Sequence, residues 1–309
     1  MSFNDNVTLD TSQVSGGGGG RGAPGGMVVG GGLGGIVILI LTLIFNGVFG
    51  GGGGGSTGGL PGDTGLGQVQ TAGDVAADTF SKCKTGADAN KYTECRIIGT
   101  VNSVQAFWTG ELPRYGKQWQ QTPTVLYGGQ TQSACGTASN QVGPFYCPLD
   151  KSVYIDASFF QILEDQFGSS GGPLAQEYVV AHEYGHALQD QLGLLGRAQQ
   201  DAQGAQSGSV KTELMADCLG GVWAHHASTV KDADTDTPYL KPLTDQDIKD
   251  ALSAASSVGD DRIQEKTQGR VNPETWTHGS AQARQRWFLQ GYQSGDLNQC
   301  DTFTGAPVE

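Results

Sequence analysis

Between Val179 and Leu188 the chain reads Val-Val-Ala-His-Glu-Tyr-Gly-His-Ala-Leu, and this stretch restricts the possible folds more than any other. His182 and His186 are four apart, so on a helix they lie one turn up the same face and can reach one ion. Glu183 follows the first histidine and can reach the open side of that ion. Two neutral nitrogens to hold Zn²⁺, with a carboxylate to take a proton from water, are the parts of a zinc hydrolase, and H-E-x-x-H supplies them. Val179, Val180, Leu188 and Leu192 give the helix an apolar face that has to be buried. Only five histidines occur in 309 residues, and two stand here. The plain alternative is a surface helix whose histidines are satisfied by hydrogen bonds.

Two histidines leave a tetrahedral ion short of ligands. Glu213 and Asp217, again four apart, fall in a stretch otherwise apolar at Leu214, Met215, Ala216 and Leu219. Carboxylates on such a face are costly unless paired or metal-bound. Glu213 as third ligand, with Asp217 accepting the far N–H of a ligating histidine, accounts for both; a solvated helix edge beside Lys211 is the alternative. Glu177 and Asp190 are rival ligands. The first lies about 140° round the helix from His182, the second one turn beyond His186. His225 and His226 are adjacent, point different ways, and read as one surface and one half-buried side chain. His278 stands in a loop before a helix capped by Ser280, where a group can be aimed into a cleft to stabilise charge on a carbonyl oxygen. Tyr154, on a strand, is the other candidate for that role. A backbone-bonded loop histidine and a packed strand tyrosine are the alternatives.

The rest of the chain divides by composition. Residues 1–26 are polar, then Gly-rich, and are expected to be disordered. Met27 to Phe49 is a charge-free run of 23 residues. As a helix it would measure roughly 34 Å, enough for a bilayer core of about 30 Å, and neither a charged n-region nor an A-x-A site marks it as a cleaved signal. It is expected to be one transmembrane helix. A Gly-rich linker at 50–72 and a domain at 73–303 follow, with a tail at 304–309. Within the domain, helical spacing runs from Ile98 to Trp119 and strands are expected at Pro123–Tyr127 and Lys151–Asp156. The strand around Val153 is a candidate edge for an extended peptide. Polar turn material covers Ser133–Gly143. Helices are expected at Ser158–Phe167, from Pro173 to about Leu192, at Val210–Ser228, at about 245–257 after a Thr244 cap, and after Ser280. Asp232, Asp234 and Asp236 imitate a calcium loop, but Thr237 and Leu243 stand where its Gly and Glu belong, so they read as a solvated acidic loop.

Net charge is −13, with no basic cluster, which argues against nucleic acid as a partner. Six cysteines, Cys83, Cys95, Cys135, Cys147, Cys218 and Cys300, form no C-x-x-C pair and suit disulfides in an oxidising compartment. The expected bridges are the two local ones, Cys83 with Cys95 and Cys135 with Cys147, plus Cys218 with Cys300. Cysteines outside the cytoplasm then imply a single-pass anchor, N-terminus in, with the catalytic domain extracytoplasmic.

Eight stretches carry a family resemblance. They are Gly31–Ile38, Gln130–Cys135, Gly143–Cys147, Val153–Asp156, His182–His186, Glu213–Cys218, Gly259–Ile263 and His278–Arg284. Over about 28 to 296 the chain resembles the putative neutral zinc metallopeptidase family of bacterial membrane-anchored proteins. The resemblance implies a zincin-like core, an anchored N-terminus, Glu213 as third zinc ligand and a peptide or protein substrate. The expected architecture is α+β, an active-site helix beside a small antiparallel sheet, preceded by the transmembrane helix. Expected chemistry is peptide-bond hydrolysis with Glu183 as base. The other class is an inactive membrane-tethered binding or scaffold protein whose zinc is structural, and Glu183 has no task there.

Overall fold

The structure is a computed structural model that describes residues 1–17, 78–140, 142–198 and 200–309. In chain order, strand β1 (Val14–Gly17) precedes helices α1 (Gly86–Lys91) and α2 (Thr93–Glu111). Strands β2 (Thr124–Tyr127), β3 (Gln130–Ser133), β4 (Gly136–Ser139), β5 (Phe145–Cys147) and β6 (Ser152–Asp156) come next. Helices α3 (Phe159–Phe167), α4 (Pro173–Gln191), α5 (Gly208–His226), α6 (Asp245–Ser257), α7 (Asp260–Gln268) and α8 (Ala281–Ser294) complete the order. The chain is α+β.

Local chemistry sets the helix ends. Pro173 opens α4 at a position where its missing N–H costs nothing. Thr244 and Asp247 form a capping box on α6, and the Ser280 hydroxyl accepts from Ala283 N on α8. Helix α4 is buried almost all round, the mark of a central helix, and packs against α2, α5 and α6. Helix α5 lies against α8 so closely that a Cβ on Gly291 would sit 1.9 Å from the Cys218 carbonyl oxygen. The expected helix over Ile98–Trp119 begins earlier and stops at Glu111, before Pro113. Residues 260–268, expected as part of no helix, form α7, and Ser133–Gly143 includes half of the β3–β4 hairpin rather than plain turn.

The main sheet has the order β1-β2-β6-β5, with β1, β2 and β6 parallel and β5 antiparallel to β6. The expected small antiparallel sheet is therefore corrected. The connection from β2 to β6 is long enough to hold the β3–β4 hairpin and β5, so the chain re-enters in the same direction. Strand β6 is buried at all five positions and lies between β2 and β5. Among the described residues the edge on that side belongs to β5, not to the strand around Val153.

Residues 1–17, expected within a disordered segment, are part of the core. Phe3 and Val7 are fully buried and Leu9 nearly so. The Phe3 ring occupies the space a side chain on Gly99 would need, since a Cβ there would come within 2.6 Å of it. Asn102 clamps the Asp10 backbone from both sides at 3.0 Å, and Asp232 of the acidic loop accepts from Thr8 N at 2.8 Å. The tail also packs: Val308 is buried beside Trp276, and Glu309 accepts from Ser280 N at 2.9 Å. The expected transmembrane helix (27–49) and linker (50–72) lie outside the described residues, among which no helix is long and apolar enough to cross a membrane. Because residues 1–17 and 78–309 share one core, they share one side of any membrane. A single crossing with the N-terminus inside and the domain outside would separate residues 1–17 from the core they complete here.

The three expected disulfides are formed: Cys83–Cys95, Cys135–Cys147 and Cys218–Cys300. The second ties the turn of the β3–β4 hairpin to edge strand β5, and the third ties α5 to the segment after α8.

Candidate metal centre

Helices α4 and α5 cross at Gly185, where a Cβ would lie 3.1 Å from the Ala216 backbone. That missing side chain lets the helices approach. His182 and His186 flank Gly185 on one helix, Glu213 and Asp217 flank Ala216 on the other, and all four are buried. His182 Nε2 lies 3.2 Å from Glu213 Oε2, and His186 Nε2 lies 3.4 Å from Glu213 Oε1. One ligand atom from each of the three falls within 4.8 Å of the others. Tetrahedral zinc with bonds of about 2.0–2.2 Å holds neighbouring ligand atoms about 3.3 Å apart. The donor set fits the ion.

The ring orientations are built in. His182 Nδ1 lies 2.8 Å from Asp217 Oδ1, and a carboxylate can only accept, so Nδ1 donates. His186 Nδ1 lies 2.9 Å from Gln189 Oε1, and Gln189 Nε2 donates to the Thr212 carbonyl at 2.7 Å, which fixes the amide's direction. Both Nε2 atoms are left for the cavity, as ligating histidines require. Asp217 is itself gripped. Arg284 of α8 donates from Nε to Oδ2 at 2.9 Å and from Nη2 to Oδ1 at 2.8 Å, and the Tyr178 hydroxyl also donates to Oδ1. Burial alone would raise the Asp217 pKa, but Arg284 and His182 hold it below the usual range. Burial likewise disfavours a charged His182 ring, yet Asp217 raises its pKa to about 10. An entering metal must displace that second proton. Burial opposes a charged Glu213 too, but His186 and His278 hold its carboxyl well below the usual range.

Glu183 is buried beside these groups and lines the same cavity. Its Oε2 is buried and has no hydrogen-bond partner. Burial pushes its pKa up. A buried carboxylate with an unpartnered oxygen facing a cavity is a group available to take a proton. His278, half-buried, lines the cavity too. Asp260 holds its loop, accepting on Oδ2 from the backbone N–H of Thr277, His278 and Gly279 at 2.7, 2.7 and 3.0 Å. His278 Nδ1 lies 3.4 Å from Asp260 Oδ1.

Tyr154 does not join the site. Along β6, Val153 and Ile155 face the main core, and the strand's alternation sends Tyr154 to the other face. There it stacks on Phe145 and donates to Asp150 at 2.8 Å, so its expected role is corrected. Neither rival ligand reaches the centre. Asp190 accepts from the Tyr146 hydroxyl at 2.8 Å, and Glu177 faces Arg96 and the Met1 amine. His225 and His226 bond to the Tyr292 and Gly295 carbonyls. Arg284, Gln189, Tyr178 and Asp260 were given no role in the sequence reading. Arg284 left one signal, because it stands four before Phe288 and so places a charge on a helix face that has to be buried.

Among known proteins, the chain is 60% identical over 229 residues to Uncharacterized protein Rv2575 of Mycobacterium tuberculosis (strain H37Rv), covering 74% of this chain and 77% of that protein. Identity to Uncharacterized protein Mb2605 of Mycobacterium bovis is also 60%, with the same coverage. To Uncharacterized protein YpfJ of Escherichia coli K12 it is 40% over 221 residues, 70% of this chain and 72% of that protein. No solved structure matches. The family described as "Putative neutral zinc metallopeptidase" matches residues 2–303, from the buried N-terminal segment to beyond the last helix, and the chain belongs to that family.

Proposed function

We propose that this protein is a zinc peptidase, with a zincin-like core, in which His182, His186 and Glu213 hold the metal and Glu183 is the general base. The observation that carries the reading is the unpartnered Glu183 Oε2 buried beside a three-residue donor set. A structural zinc is closed by four protein ligands, whereas a hydrolytic one keeps a position open. Three ligands with a spare carboxylate favour hydrolysis over a scaffold's structural zinc.

When bound, Zn²⁺ supplies Lewis acidity that polarises a carbonyl and makes water a better nucleophile at neutral pH. Glu183 takes the proton of the attacking water and hands it to the departing amine. Its raised pKa suits both halves of that task. His278, steadied by Asp260, stands where it can stabilise charge on the carbonyl oxygen. Asp217, Arg284 and Gln189 hold the imidazoles in register. Strand β5, at the sheet edge among the described residues and packed against α4, the helix of Glu183, offers main-chain pairing to an extended peptide. The three disulfides support an extracytoplasmic location, with residues 1–17 on the same side as the rest.

The test is Glu183→Gln in the full chain. Zinc content should stay near one per chain by elemental analysis, while turnover of a mixed peptide library falls by about 10²-fold or more. A variant with full activity would end the proposal.

A further inference from the structure

Away from the metal end, the cavity is walled by apolar side chains. Phe159, Leu163 and Phe167 stand every four residues along α3 and so form one stripe. Pro144, Val258 and Ile263 line the cavity from the approach to β5, the end of α6 and α7. The ionisable groups that line it are Tyr178, His182, Glu183, His186, Glu213, His278 and Arg284. They belong to the metal end: His182 and His186 meet Glu213, Glu183 follows His182 on α4, His278 is tied to Asp260, and the Tyr178 hydroxyl and the Arg284 guanidinium are both spent on Asp217. In a chain with 31 acidic residues, the opposite lobe has none.

We propose that this lobe seats a large aliphatic or aromatic side chain of the substrate, next to the bond that is cut. The inference rests on the hydrolytic reading and adds the substrate class. Three observations join the lobe to the chemistry. It shares one cavity with Glu183. Pro144 stands just before β5, which packs against α4, the helix that carries Glu183, so a side chain in the lobe belongs to a residue beside the reacting carbonyl. Pro144 also offers no N–H, so its ring presents apolar surface without a backbone donor. A charged side chain would lose its water with nothing to pair with.

Phe167 is half-buried and ends α3 just before Gly168, so Phe167→Lys places a cation at a helix C-terminus, where it is tolerated. The experiment compares otherwise identical peptides with Leu, Phe, Ala or Asp on either side of the cleaved bond, using the full-length zinc-loaded protein. Leu or Phe should exceed Ala by roughly 10- to 100-fold in kcat/KM, and Asp by more. Phe167→Lys should cut that preference by about tenfold and admit Asp. Binding of the same peptides to Glu183→Gln, read by fluorescence anisotropy, separates the two claims. If that variant prefers Leu over Asp but the wild type cuts nothing, the lobe stands and the hydrolytic reading falls. If the wild type cuts all four alike, or Phe167→Lys leaves the preference unchanged, the lobe assignment is overturned and hydrolysis stands.

Discussion

Asp217→Asn tests the network under the metal centre with almost no change in volume. Three donors converge on Asp217 Oδ1, from His182, Arg284 and Tyr178, and one from Arg284 Nε reaches Oδ2. An asparagine keeps most of these by leaving its oxygen at the Oδ1 position. Its amide nitrogen then faces the Arg284 Nε–H, donor against donor, and the guanidinium, 3% exposed, loses its counter-charge. Breaking a buried ion pair from one side costs about 3–5 kcal/mol. At roughly 2–4 °C per kcal/mol for a domain of this size, Tm should fall by about 6–20 °C. His182 would also lose the charged acceptor that fixes its ring, so zinc affinity should drop about 10- to 100-fold. Both are measurable on one preparation: Tm by calorimetry after chelation, affinity by competition with a chromophoric chelator. Because the folded pKa of Asp217 is depressed, its contribution is full above the ordinary carboxylate pKa and fades as pH falls through the depressed value. The Tm gap should therefore narrow only in strong acid. If Asp217→Asn melted within about 1 °C of wild type and bound zinc within about twofold, the network would have no structural role and the reasoning would fail.

Phe3→Ala should lower stability by about 3–5 kcal/mol in urea denaturation, because the ring fills a site in the core; an unchanged midpoint would mean that the N-terminal segment is not packed there. All six native cysteines are paired, so Ser12→Cys and Asp245→Cys each introduce one exposed thiol. A membrane-impermeant maleimide should label both or neither in spheroplasts, and labelling of one alone would refute the shared side. Glu177 is buried, and burial pushes its pKa up to about 7 from 4.5. The folded state therefore holds a proton that the unfolded state releases, so this group's contribution to stability is full below about pH 4.5, declines towards pH 7 and is lost above it. That contribution is worth about 3 kcal/mol. Glu177→Gln should make the decline of unfolding free energy between pH 5 and 7 shallower, and an equally steep decline in the variant would contradict the assignment.

The metal donors were legible because helical period and chemistry coincide: His182 with His186 and Glu213 with Asp217 each repeat at four residues inside apolar stretches. Two disulfide pairs followed from short loops, and the third, 82 residues apart, from the cysteines left over. Neither the N-terminal segment nor the tail could be placed from composition. Residues 1–17 are polar enough to read as unstructured, and only the packing of Phe3 against Gly99 and the Asn102 clamp on Asp10 reveal them as part of the core. Strand direction was hidden for a related reason: Val153–Asp156 announces a strand, but what lies beside it depends on segments far away in the chain. Tyr154 and Arg284 exchanged importance on the same ground. A one-residue alternation turned the tyrosine away from the cavity, and a helix crossing brought the arginine onto Asp217. Periodicity is a local property that a sequence carries whole. Which periodic faces meet, and therefore which charges are paired and which lobe lies beside the metal, is decided only when distant segments bury one another.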